Sequence, residues 1–245
     1  MRARFDGDGD VIVVTGGANG IGRALACAAA GVGARVVVCD VDAAAMKALS
    51  DAPGISTRQL DVSDRAEVFA AIGGVEREFG RIDGLVCAAA IQPRAAVHRM
   101  TSEDWERVLR VNLNGVVWCY QAAVAGMIAR RRGSIVAFTS GLAHQGWPEA
   151  AAYAASKAAL IAFVKSAAKE IAPHRVRFNL IAPGVIDTPQ YRQANAGADD
   201  ARWRASVGVG QPEDVVGALL FLLSDQATMT ASLISRDFAY AAREA

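Results

Sequence analysis

The chain is predicted to fold as an α/β domain built on a doubly wound sheet of about seven parallel strands, with helices on both faces. Three observations predict it. Short runs that are apolar throughout alternate with segments of helical composition, as in strands buried on both faces. The first such run ends in a glycine-rich turn that opens a helix. No stretch reads as a linker, repeat or low-complexity segment, so one domain over residues 1–245 is expected.

The elements follow in order. DVIVVT (10–15) is the first strand, and IGRALACAAAGVG (21–33) the helix after the turn. ARVVVCD (34–40) and DAAAMKALSD (42–51) repeat the pair. ISTRQLDV (55–62) is a weaker third strand, followed by an amphipathic helix over 64–80 that carries two costly glycines, Gly73 and Gly74. RIDGLVCAAAI (81–91) brings the fourth strand. One long helix is expected over 102–131, capped by Thr101 or Ser102, with Glu103 and Asp104 in its first turn. GSIVAFTS (133–140), a helix over 151–172 and RVRFNLIAP (175–183) come next. A helix over 212–225 has Pro212 in its first turn, and ASLISRDF (231–238) is a last strand. The one long irregular region, 184–211, reads as a substrate lid around 188–210.

Composition excludes several classes. The chain is 53% hydrophobic and 21% charged, with Lys+Arg 26 against Asp+Glu 25 and a net charge of +1. Neither a nucleic-acid partner nor a membrane surface is expected from that balance. No apolar run approaches the length of a membrane span, and MRARFDGDGD lacks the apolar stretch of a signal peptide. Cys27, Cys39, Cys87 and Cys119 form no CxxC and read as free thiols of a cytoplasmic protein. His98, His144 and His174 lack ligand spacing, so no metal is expected. ARRRG (129–133) reads as a favourable helix end, with a carrier-protein docking patch as the weaker alternative.

The turn after the first strand is TGGANGIG, Thr15 to Gly22. A strand before and a helix after give its glycines a function in a Rossmann-like fold. Gly16 permits the turn, Gly20 lets backbone approach a ligand, and Gly22 lets the helix pack closely. The helix start then offers free N–H groups and a positive dipole end to a phosphate. Asp40 ends the second strand, 18 residues beyond Gly22. A carboxylate there accepts from ribose hydroxyls and repels a 2′-phosphate, which favours NAD over NADP. Asp61, with Val62 beside it, is placed to meet an adenine edge.

Tyr153 and Lys157 are four residues apart in AAYAASKAAL. They stand one turn apart and about 40° around the helix, so they share a face. The ammonium is expected to lower the tyrosine pKa and make Tyr153 a general acid/base. Ser140 ends a parallel strand, where such sheets place ligands, and can hold a substrate oxygen.

In this order, Thr15-Gly16-X-X-X-Gly20-X-Gly22, Asn112, Ser140 and Tyr153-X-X-X-Lys157 resemble the short-chain dehydrogenase/reductase family, as do PGVIDT (183–188) and GQPEDV (210–215). The resemblance runs from about residue 10 to 225. It implies a homo-oligomer, dimer or tetramer, that moves a hydride between NAD(H) and a secondary alcohol or ketone. It implies that Asn112, with Asn114 the competing candidate, anchors a water linking Lys157 to solvent. It also implies that Lys157 bonds the nicotinamide ribose and that Thr188 and the Ile186 backbone bind the carboxamide. Tyr153, Asn19, Ile21, Ala89, Pro183 and Gly184 join the expected nucleotide contacts.

Two stretches depart from the family pattern. CAAA (87–90) replaces Asn-Asn-Ala-Gly, which removes a sheet-tying hydrogen bond and requires a backbone angle at Ala90 that alanine tolerates. SRDFAYAAREA replaces an ending in Asp-Gly-Gly; Asp237 matches the aspartate, while Phe238 and Ala239 stand for the glycines. Gln92, Arg94, His144, Trp147 and Tyr191 are expected to line a substrate chamber for an apolar alcohol or ketone of modest size, with Trp203 from the lid. Two other functions remain open: an NADPH-dependent 3-oxoacyl-carrier-protein reductase, and an NAD-binding sensor or scaffold without turnover.

Overall fold

The computed structural model describes residues 4–196 and 208–236. Strands β1 (Val11–Thr15), β2 (Arg35–Asp40), β3 (Ile55–Gln59), β4 (Gly84–Cys87), β5 (Gly133–Phe138), β6 (Val176–Ala182) and β7 (Leu233–Ser235) form one sheet in the order β3-β2-β1-β4-β5-β6-β7. Every pairing is parallel.

The two-residue period of a strand sends alternate side chains to opposite faces, and both faces are apolar here. Val11, Val13, Leu85, Cys87, Ile135, Ala137, Phe178 and Leu180 face one core. It is closed by α3 (Arg65–Phe79), α5 (Gly115–Arg130) and α7 (Ala151–Ile171). Within it Tyr120 stacks on Phe178 at 5.4 Å between ring centroids, and Phe163 meets both rings edge-on. Ile12, Val14, Val36, Val38, Val86, Val136 and Ile181 face the other core, closed by α1 (Gly20–Gly31), α2 (Ala43–Lys47) and α9 (Glu213–Leu223). Each fully buried Leu or Ile stabilises the fold by about 2 kcal/mol. The four cysteines are free; Cys39, Cys87 and Cys119 are buried and Cys27 is exposed.

Strand order reverses between β1 and β4, so the chain leaves these neighbours toward opposite faces and opens a crevice between their exits. Gly16 sits at that point with φ +68°, and a Cβ there would lie 2.4 Å from the Ala89 nitrogen. Gly16→Ala therefore combines a left-handed backbone with a backbone clash. We expect it to destabilise the nucleotide-free chain by about 3–5 kcal/mol. Thermal unfolding should show a midpoint lowered by roughly 10 °C.

Several boundaries differ from expectation. β4 is shorter than 81–91. Asp83 turns its carboxylate to the Val11 N–H at 2.9 Å and to Arg81 before the strand begins, and the chain exits at Ala88. β7 is likewise shorter, and Asp237, Phe238 and Ala239 lie outside the described residues. The helix expected over 102–131 is three pieces: α4 (Ser102–Leu109), a π-helical turn (Arg110–Asn114), and α5. Thr101 caps α4 by accepting from the Asp104 N–H. Region 184–211 is not wholly irregular. Thr188 caps α8 (Pro189–Ala194), and Ile186 pairs with Gly210. Residues 197–207, with Gly197 and Trp203, lie outside the described residues. A short helix, α6 (Leu142–Gln145), precedes α7 and was not expected.

The arginine run is committed to the fold at the end of the sheet away from the crevice. Arg130 pairs with Glu76 and donates to the Ile82 carbonyl; Arg131 donates to the Pro173 carbonyl; Arg132 pairs with Asp10 and Asp225. Ala90 keeps a negative φ, so alanine is accommodated there.

Candidate active site

Loops at the carboxyl ends of the strands enclose a cleft of about 1060 Å³. All the expected nucleotide-contacting residues line it, from Gly16, Asn19, Gly20, Ile21 and Gly22 through Asp40, Asp61, Val62 and Ala89 to Pro183, Gly184, Ile186 and Thr188. Ser140, Tyr153, Lys157, Gln92, Arg94, Trp147 and Tyr191 share it. Asn112 and His144 do not line it.

At the glycine end, α1 begins at Gly20 with no side-chain cap and no acidic residue in its first turn. Its leading N–H groups are thus left for an anion. A Cβ on Gly22 would lie 2.3 Å from the Gly16 carbonyl oxygen, so this glycine is required by the turn itself rather than by helix-on-sheet packing. Asp40 accepts from the Ala18 N–H through Oδ2 and from the Asp42 N–H through Oδ1, both at 3.0 Å, which fixes its carboxylate at the cleft wall. Asp42 caps α2 and accepts from Asn19, bonds that hold its carboxyl below the usual range. Asp61 is exposed, with Oδ1 accepting from the Ser63 N–H. This cradle of glycines, free helix N–H groups and a fixed carboxylate fits a nicotinamide dinucleotide.

At the other end, the β5 exit carries Ser140 and α7 carries Tyr153 and Lys157. Ser140 Oγ accepts from the Leu142 N–H at 3.2 Å. Lys157 is 3% exposed and donates through Nζ to the Phe138 carbonyl at 2.9 Å. Nζ stands over the Tyr153 ring, 5.6 Å from its centroid, rather than at the hydroxyl. The expected lowering of the Tyr153 pKa by Lys157 is therefore not what this geometry produces. Burial raises the Tyr153 hydroxyl, while the Ser140 hydroxyl and then the Arg94 charge pull it back.

Burial pushes Lys157 down to about 8 from its ordinary 10.5. Between those values the folded chain holds fewer protons than the unfolded one, so stability rises with pH through the window. Lys157→Met removes the buried cation. We expect the nucleotide-free variant to be more stable at pH 7 by about 2 kcal/mol, allowing for the lost hydrogen bond, with the advantage shrinking toward pH 10. Midpoints of thermal unfolding of both chains at the two pH values measure this.

Asn112 is fully buried, whereas Asn114 is exposed. The Asn112 amide accepts from the Ile91 N–H at 2.8 Å and donates to the Ile91 carbonyl at 2.9 Å and to Ser156 Oγ at 3.2 Å. It thus ties the helix side to the β4 exit and to α7. Placing it is the work of the π-helical turn.

Thr188 Oγ1 accepts from the Tyr191 N–H, and its methyl approaches Gly20 across the cleft. The Ile186–Gly210 bridge is made through the Val185 carbonyl and the Asp187 N–H, which turns the Ile186 backbone groups the other way. His144 is a correction. The turn of α6 directs Leu142 and Gln145, three residues apart, into the cleft and leaves His144 exposed outside it. Arg192 on α8 forms a two-pronged pair with Asp187. Sequence reasoning missed Asp104 and Arg107 as wall residues; their three-residue spacing on α4 is the signal that places both on one face. Among the described residues no His, Cys, Asp and Glu cluster suits a metal, and no helix is long and apolar enough to cross a membrane.

Residues 16–237 match the family model described as enoyl-(acyl carrier protein) reductase. The chain is 38% identical over 238 residues to a 3-oxoacyl-[acyl-carrier-protein] reductase FabG of Thermotoga maritima, covering 94% of this chain and 97% of that one. It is 36% identical over 230 residues to a galactitol 2-dehydrogenase of Agrobacterium fabrum, covering 87% and 90%. The crystal structure of a levodione reductase superposes with a TM-score of 0.89 at 28% identity, covering 96% and 97%. With its parallel sheet, its glycine turn and the Ser140, Tyr153 and Lys157 cluster at one cleft, the chain belongs to the short-chain dehydrogenase/reductase family of oxidoreductases.

Proposed function

We propose that the chain is an NAD(H)-dependent dehydrogenase or carbonyl reductase acting on a secondary alcohol or ketone. The observation that carries the cofactor choice is the Asp40 carboxylate, fixed at the cleft wall by two backbone N–H groups. It suits ribose hydroxyls and repels a 2′-phosphate. The basic wall residues, Arg94, Arg107, Lys157 and Arg236, all come from outside β2 and the glycine turn.

In this reading Gly16, Asn19, Gly20, Ile21 and Gly22 hold the pyrophosphate, and Asp61, Val62 and Ala89 the adenosine side. Pro183, Gly184, Ile186 and Thr188 hold the nicotinamide end. The nucleotide, when bound, supplies the hydride acceptor or donor. Tyr153 takes the hydroxyl proton in oxidation and returns it in reduction, and Ser140 positions the substrate oxygen. Lys157 stands on the same helix face, and Asn112 holds the β4 exit against α7. Gln92, Trp147 and Tyr191 give the chamber an aromatic and amide lining suited to an apolar alcohol or ketone of modest size. A cytoplasmic setting and assembly into a dimer or tetramer go with the same reading.

The test is a screen of secondary alcohols, sugar alcohols, hydroxy acids and cyclic ketones with NAD(H) and NADP(H), followed by nicotinamide absorbance. Turnover with NAD(H) at an efficiency at least roughly 100-fold above NADP(H) is expected. The likeness to the Thermotoga maritima reductase favours a second reading, reduction of a 3-oxoacyl carrier-protein thioester with NADPH. Rapid NADPH oxidation with such a thioester, and none with NADH, would replace the first reading by the second.

A further inference from the structure

We propose that Arg94 is a positioning residue for proton transfer, clamping the end of α8 to the loop that leads into α7 and standing as a fixed cation in the cleft that holds Tyr153. The proposal rests on the dehydrogenase reading of this site. Arg94 Nε donates to the Ala194 carbonyl and Nη2 to Asn195 Oδ1, both at 3.2 Å. Nη1 reaches the Pro148 carbonyl at 3.4 Å. The next residue continues the strap: the Ala95 N–H donates to the Glu149 carbonyl at 3.0 Å. Glu149 has φ +63°, a left-handed conformation that is unfavourable for a non-glycine residue and persists where neighbours hold it. Residues 94 and 95 therefore grip two walls of the chamber that lie far apart in the chain.

The acceptors around the guanidinium are neutral. No carboxylate is at ion-pair distance from Arg94 among the described residues, so its charge stays available to the cleft. A guanidinium can span three divergent acceptors where an ammonium cannot. Ser140 from the β5 exit and then Arg94 from the β4 exit act on the Tyr153 hydroxyl. Lys157 on α7 stands over the ring and turns its amine to the Phe138 carbonyl. Glu149 acts on Arg94 itself, as does Cys87 on Lys157. Arg94 is thus the cation that favours the phenolate of Tyr153 in the nucleotide-free chain.

The test is an ultraviolet titration of tyrosinate in the nucleotide-free chain, with Tyr153→Phe as the blank that isolates Tyr153. Arg94→Gln should weaken the acidity of Tyr153 by roughly three- to tenfold, and the pH profile of kcat/KM should move in the same direction. Arg94→Lys should hold the acidity within about twofold but raise substrate KM by roughly tenfold, because the charge remains and the fork is lost. An Arg94→Gln chain that titrates like the wild type overturns the electrostatic role. If that variant does not fold, Arg94→Lys decides: a wild-type KM overturns the clamp, and weakened acidity overturns the charge. If the wild type turns over no alcohol or ketone with either nucleotide, the dehydrogenase reading fails, while the titration still decides whether Arg94 governs Tyr153.

Discussion

Tyr153→Phe is expected to lower kcat/KM for alcohol oxidation by about 10³-fold, the range of a lost general acid/base. The substitution deletes one hydroxyl from a half-buried ring and leaves Lys157 bonded to the Phe138 carbonyl. Nucleotide affinity should therefore stay within about threefold, and the thermal midpoint within a few degrees. The direction with pH follows from the same group. Burial holds the Tyr153 hydroxyl above its ordinary value. Oxidation, which needs the phenolate, should speed up as pH rises, and reduction, which needs the phenol, should slow. Steady-state rates of wild type and variant in both directions measure this. A variant that retains a tenth of wild-type kcat/KM would remove Tyr153 from proton transfer.

Asp40→Asn should shift the kcat/KM ratio of NAD to NADP by about 10²-fold toward NADP. Two effects combine. The charge-assisted hydrogen bonds to ribose hydroxyls are weakened, each such bond being worth about 1.5–3 kcal/mol, and the repulsion of a 2′-phosphate is removed. The amide keeps the shape of the carboxylate and one acceptor for the backbone N–H groups of Ala18 and Asp42. Thermal unfolding separates the cofactor effect from a loosened glycine turn. An unchanged ratio in a variant that unfolds like the wild type would show that Asp40 does not select the nucleotide.

The parts of the molecule governed by short spacing were legible in the sequence. The glycine turn, Asp40 at the end of β2, and the Tyr153–Lys157 pair on one helix face each follow from a period or a register that local sequence determines. The centre of the sheet was legible because both faces of its strands are apolar, whereas β3 buries only Ile55 fully. Other features depend on contacts across the chain. Asn112 was recognised, but its tie to Ile91 depends on a π-helical turn that slips the backbone without changing the apolar pattern. The capped helix α8 did carry a signal, because Thr188 followed by Pro189 is an N-cap followed by a first-turn proline. The strap at Arg94 carried none, since its acceptors are 54, 100 and 101 residues away. The acidity of Tyr153 was misjudged for a related reason. Four-residue spacing places Lys157 beside the ring, yet the bond to Phe138 on another element decides where its charge sits.

The cysteines give the chain a chemical record of its own unfolding. Cys27 is open to solvent, while Cys39 and Cys87, at the ends of β2 and β4 beneath the cleft, and Cys119 on α5 are sealed in the core. Burial pushes the Cys39 thiol up to about 12, so it is inert as well as inaccessible while the sheet is intact. A thiol reagent should label one site quickly and three only as fast as the chain opens. A nucleotide that binds the folded state would slow those three without touching the first. Mass spectrometry of labelled chains thus reports cofactor preference without any substrate being known.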